Sequence, residues 1–208
     1  MPGLWQSKDA GPRPETNYFV FFTEADRQSA KVTMATELPP RYANWMSGSR
    51  LPIEVPNPLV YTISAEDEGI LRPYFRNPGA PLMSDELIGV LQKAGVDNLD
   101  TYNAVIREIR TGKEHHNYKA VNIIGLVSGA DMAKSQYTGS GLSDDPVVGL
   151  WFSKLVLDEQ KIAGQLLFRL AENVSIVLAH KKVVDAIKAS NIPGLRYLAF
   201  ANPASYAG

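Results

Sequence analysis

Three short stretches hold residue types that could do chemistry. The first is Glu114-His115-His116. Two histidines beside a carboxylate could hold a metal or move a proton, but both uses need side chains that converge. Neighbouring side chains on a strand point to opposite faces, so convergence is open to this pair only in a turn. The polar surroundings predict such a turn, just before a strand starting near Tyr118. The third histidine, His180, lies far along the chain, at the exposed start of an expected helix. No metal site and no catalytic residue is expected from this set.

The second stretch is Glu66-Asp67-Glu68, followed by Gly69. Paired carboxylates do acid–base work when burial sets their pKa values apart. Three acids in a row beside a glycine read better as a solvated turn. The third stretch is Gly139-Ser140-Gly141-Leu142-Ser143-Asp144-Asp145. A phosphate-cradling loop needs free backbone amides, and a P-loop adds a lysine after its last glycine. Two aspartates follow here and would repel phosphate, so a loop between strands is expected. Acidic loops can dock on basic surfaces. Glu66, Asp67, Glu68, Asp144 and Asp145 are therefore the candidate partner-binding residues.

No G-x-S-x-G elbow occurs, and no histidine has a serine partner in a motif context. Trp45, Trp151 and Tyr197 could serve binding, but large aromatic residues more often fill a core, and that is the expectation for all three.

The elements that must position these residues follow from patterning. Tyr18 to Phe22 is a β-favouring run and predicts a first buried strand. Prolines at 39, 40, 52, 56 and 58 exclude long regular elements between 38 and 58, because each removes a donor and fixes φ. Val60 to Ile63 predicts another short strand. Ser84 to Ala94 predicts a helix. Ser84 can cap it, Asp85 and Glu86 suit its positive end, and Gly95 can end it. Leu87, Val90, Leu91 and Ala94 give that helix one apolar stripe. A strand is expected from Thr101 to Ile109, and further strands near 118–127, 150–157, 165–170 and 174–178. A second helix is expected over 180–190, with a poor cap in His180 and a clear stop at Pro193-Gly194. Leu195 to Phe200 predicts the last strand. Strands outnumber helices and the connections look short. The expected fold class is α+β, a largely antiparallel sheet with a few short helices packed against it. The expected organisation is a tail at 1–16, one domain at 17–200 and a tail at 201–208.

Composition bounds the function. The 208 residues are 45% hydrophobic and 21% charged, enough to bury a sizeable core. Twenty-one basic and 22 acidic residues leave a net charge of −1, without the basic footprint that nucleic-acid binding needs. The chain has no cysteine, which excludes disulfides, thiolate nucleophiles and thiolate zinc sites. No apolar run is long enough to cross a bilayer, and none follows a basic start as a secretory leader would. The expectation is a cytoplasmic protein with no membrane or nucleic-acid partner and no cofactor.

Several patterns, taken in order, resemble one bacterial family. They are Asn44-Trp45-Met46-Ser47-Gly48, the proline-rich LPIEVPNPLVYTI, the capped SDELIGVLQKAGVDNL, and Tyr118-Lys119-Ala120-Val121-Asn122 with Asp131 and Ser135 after it. FSKLVLDEQKIAGQLLFRL and VVDAIKASNIPGLRYLAF complete the set. The family is that of immunity proteins encoded beside polymorphic toxins, first catalogued as a domain of unknown function and typified by a myxobacterial protein. The resemblance spans roughly residues 44–200. Its motifs are structural, and it carries over no catalytic residue. It implies a non-catalytic protein that binds a cognate toxin and blocks its active site or substrate access. Two other readings stand beside it: a small hydrolase or transferase using His115 and His116, and a module that oligomerises through an exposed strand edge.

Overall fold

The computed structural model describes residues 16–24, 27–39, 44–76, 79–139, 149–195 and 198–205. Thirteen strands and two helices lie within them. The first half contributes β1 (Tyr18–Thr23), β2 (Val32–Met34), β3 (Leu59–Ile63), β4 (Tyr74–Phe75), β5 (Leu82–Ser84), α1 (Asp85–Lys93) and β6 (Leu99–Glu108). The second contributes β7 (Glu114–Ile123), β8 (Leu126–Val127), β9 (Gln136–Thr138), β10 (Trp151–Lys154), β11 (Leu167–Leu170), β12 (Asn173–His180), α2 (Lys181–Ala189) and β13 (Leu198–Ala201).

Helix α1 forms as its sequence dictates. The Ser84 hydroxyl accepts from Leu87 N at 3.2 Å, and Asp85 and Glu86 occupy the first turn. Gly95 at φ 101° supplies the left-handed residue that stops it. Leu87, Ile88, Leu91 and Ala94 are buried, while Val90 lies at the margin of the stripe.

The strands form two large sheets and one two-stranded ribbon. One sheet runs β13-β1-β12-β11-β8, the other β2-β3-β6-β7-β5-β4, and β10 pairs with β9 alone. The α+β expectation holds, but the largely antiparallel sheet holds only in part. The sheets are mixed: β3 pairs parallel with β6, and β8 with β11. A parallel pair requires a long crossover. The chain between β3 and β6 supplies one, carrying β4, β5 and α1. The connections are thus longer than the sequence suggests, and that lets neighbouring strands run the same way.

The two helices tie the sheets together. Leu87 and Leu91 of α1 and Val183, Val184 and Ile187 of α2 share one apolar cluster with Val121 and Ile123 of β7 and Val177 of β12. Two further clusters lie on other faces, one around Tyr61, Leu82 and Ile106, the other around Phe152, Phe168 and Leu178. Residues 201–205, expected in a terminal tail, continue this body. Ala201 pairs with Val20, and a 3-10 turn at Pro203–Ser205 buries Pro203.

The proline-rich segment forms a strap, with no helix or strand between 44 and 58. Three of its backbone carbonyls accept hydrogen bonds from elsewhere in the chain. Those of Trp45, Gly48 and Ser49 accept from Arg169 Nη2 at 3.4 Å, Gly125 N at 2.8 Å and Asn122 Nδ2 at 2.8 Å. Gly48 sits at φ 68°, and a Cβ there would meet Leu126 Cβ at 2.9 Å. Both the positive φ and the close approach require glycine. Trp45 is 4% exposed and stands edge-on to Tyr102.

Candidate functional site

Two adjoining clefts lie where the loop after β3 curls against the chain leading into β2. The larger, about 530 Å³, is lined by Arg27, Ser29 and Lys31 on one side and by the 64–70 loop on the other. The smaller, about 210 Å³, is lined by Lys31, Arg72, Tyr74, Arg76 and Gly194 among others. Ser29 and Lys31 belong to both walls.

The three acids of the first cleft do different work. Asp67 is a staple: its two carboxylate oxygens accept from Lys31 N at 2.6 Å and Gly69 N at 2.7 Å. Gly69 has no room for a side chain, since a Cβ would lie 2.4 Å from Ala30 N. Glu68 pairs with Arg110 at 3.1 Å across the surface, joining this loop to the β6–β7 turn. Glu66 is exposed, and no hydrogen bond or ion pair engages it among the described residues. The solvated turn is therefore present, with Glu66 and Glu68 facing outward. Asp144 and Asp145 lie outside the described residues, as does Tyr197.

The histidine pair sits in β7, not in the turn predicted for it. The β6–β7 turn closes earlier, at residues 109–113, because Gly112 at φ 71° allows it there. Strand geometry then separates the rings. His115 Nε2 meets Glu108 Oε1 at 2.7 Å, whereas His116 Nε2 meets Glu114 Oε2 at 3.1 Å. The Thr111 hydroxyl and His115 together hold the Glu108 carboxyl below the usual range. Among the described residues no three histidines or carboxylates gather as a metal site would need.

Trp45 is core as expected, but Trp151 is 50% exposed. It lies opposite Thr138 in the two-stranded ribbon, while its neighbour Phe152 takes the buried face. In a ribbon with one solvated face, alternation puts every second residue outside.

The basic cleft carries no sequence signal of its own. Arg72 is buried, and its Nε donates to Ser29 Oγ at 3.1 Å. Arg76 Nη2 donates to the carbonyl of Ser175 at 2.8 Å. Its cations come from positions 31, 72 and 76, which only the fold brings together.

The fold is a mixed-sheet α+β body whose charged rim holds ion pairs and a loop staple. The profile of the Immunity protein family (Imm11) matches residues 11–202, and the chain belongs to that family. No curated protein matches it. Among the described residues no helix is long and apolar enough to cross a membrane.

Proposed function

We propose that this chain is a non-catalytic immunity protein that binds a cognate toxin and neutralises it by covering the toxin's working surface. Family membership over residues 11–202 is the observation that carries the reading. The rim chemistry is consistent with it: His115, His116 and Asp67 are each spent on a partner within the chain. The toxin-facing surface on this reading includes Glu66 and Glu68, with Asp144 and Asp145 as a second acidic element. Opposite charge on the toxin would speed encounter and fix register.

The test is co-expression with the toxin encoded beside the gene, followed by calorimetric titration of the purified pair. The wild type restores growth. Glu66→Lys with Glu68→Lys slows association and weakens binding, most at low salt. Asp144→Lys with Asp145→Lys also weakens binding and leaves the fold intact. Growth arrest despite abundant folded protein would end the immunity reading. Turnover of a substrate by the purified chain would replace it with an enzymatic one.

A further inference from the structure

Among its described lining residues the smaller cleft carries more cations than acids, the reverse of the 66–68 loop beside it. Among the described residues its wall carries three cations, Lys31, Arg72 and Arg76, against one acid, Glu24. Arg72 is held in place by Ser29. Gly194 also lines the cleft, at φ 76°. Arg76 is half-buried and spends Nη2 on Ser175. A guanidinium has five N–H donors in a fixed fork, so that one bond leaves most of the fork for a carboxylate. Tyr74 lines the same wall. Burial pushes its hydroxyl up, while the Arg169 and Arg76 charges pull it down by less.

Size limits the occupant. At about 210 Å³ the cleft is smaller than the roughly 300–1,000 Å³ of small-molecule sites. It suits a single side chain. We propose that it receives an acidic side chain of the toxin, its carboxylate bound by Arg76 and attracted by Lys31. This rests on the immunity reading and deepens it. The footprint becomes two-signed, with Glu66 and Glu68 meeting basic groups while the adjoining cleft meets an acidic one. A two-signed footprint sets orientation as well as attraction, because any other register puts like charges together.

The experiment compares wild type, Arg76→Gln and the double variant Lys31→Glu with Arg76→Glu, titrated with the toxin encoded beside the gene. Circular dichroism melting of each variant checks folding. Arg76→Gln removes a charge and adds none, and is expected to weaken binding about tenfold. The double variant is expected to weaken it about 100-fold or more, within the span measured for close interfacial charge pairs. A toxin variant with one acid changed to lysine should restore binding to the double variant. If wild type binds the toxin and both variants bind within threefold of it, the cleft proposal falls and the immunity reading stands. If wild type neither binds nor protects, the immunity reading falls, and this proposal with it. Micromolar binding of inorganic phosphate, lost in Arg76→Gln while toxin affinity is unchanged, would also overturn the proposal, since the occupant would then be a free anion.

Discussion

Arg169 reaches the carbonyl of Trp45 across 124 positions of chain, with Nη2 3.4 Å from the oxygen. Its Nη1 donates to Val174 O at 2.9 Å, and the residue is 3% exposed. Burial lowers its pKa. A side chain this costly to bury is kept for its two carbonyl contacts, which join the strap to the bulge in β12. Arg169→Ala should therefore destabilise the protein by about 3 kcal/mol. Arg169→Met keeps the apolar stem and should cost less. Urea unfolding measures both, and an unchanged midpoint in the alanine variant would remove the strap from the list of stabilising features.

Gly48→Ala combines a positive φ with a Cβ 2.9 Å from Leu126 Cβ. It should cost about 2 kcal/mol or more. Gly112→Ala shares the positive φ but meets nothing within 4 Å, so it should cost only the strain of about 1 kcal/mol. Equal losses in thermal melts of the two variants would rule out the steric contact.

Helix α2 starts on an unusual cap. The His180 ring accepts from Lys182 N at 3.2 Å and packs edge-on against Tyr18. His180→Ala should cost about 1 kcal/mol through the cap alone, plus the ring contact. His180→Asn should recover the cap. A result in which asparagine is as damaging as alanine would show that the ring contact, not the cap, matters.

Burial, with the Glu86 carboxylate adding to it, pushes the Tyr118 hydroxyl up to about 12. An unfolded tyrosine ionises near about 10. The raised value contributes stability that is whole below about pH 10, and this is lost as the pH climbs toward about 12. Tyr61 and Tyr74 are raised by burial in the same direction. Tyr118→Phe should flatten part of the alkaline slope. It should also cost about 1 kcal/mol at neutral pH, because the hydroxyl donates to Arg72 O at 3.0 Å. Denaturation midpoints between pH 8 and 11 (roughly the span of tyrosine ionisation) test the slope.

Asp67 is tied to two backbone amides, whereas its neighbour Glu66 is exposed. Asp67→Ala unties Lys31 N and Gly69 N and should cost about 1–2 kcal/mol of stability. Glu66→Lys should move stability by less than about 0.5 kcal/mol while weakening toxin binding. Chemical denaturation beside calorimetry separates the two. A Glu66→Lys variant that unfolds early would make that residue structural too.

The long elements were legible because periodicity needs length. Helix α1 shows its cap at Ser84, its stripe and its stop at Gly95 in nine residues of helix. Strands β2, β4 and β5 have two or three residues each, too few for alternation to register. His180 looked like a poor cap because the favoured caps are short oxygen-bearing side chains, yet a ring nitrogen does the same work here. The acids at 66–68 were legible as a solvated turn. The stapling role of Asp67 was missed, although Asp-x-Gly is a sequence in which a carboxylate commonly reaches the amide two residues on. The basic cleft left no trace in the sequence, because Lys31, Arg72, Arg76 and Gly194 share no spacing and meet only through sheet order.

His180 ends β12 and opens α2 with no spacer between them, while its backbone partner is Tyr18 of the adjacent strand. Helix and strand therefore meet end to end at one residue. A force tilting α2 is delivered straight to the Tyr18–His180 rung, and no slack loop exists there to absorb it.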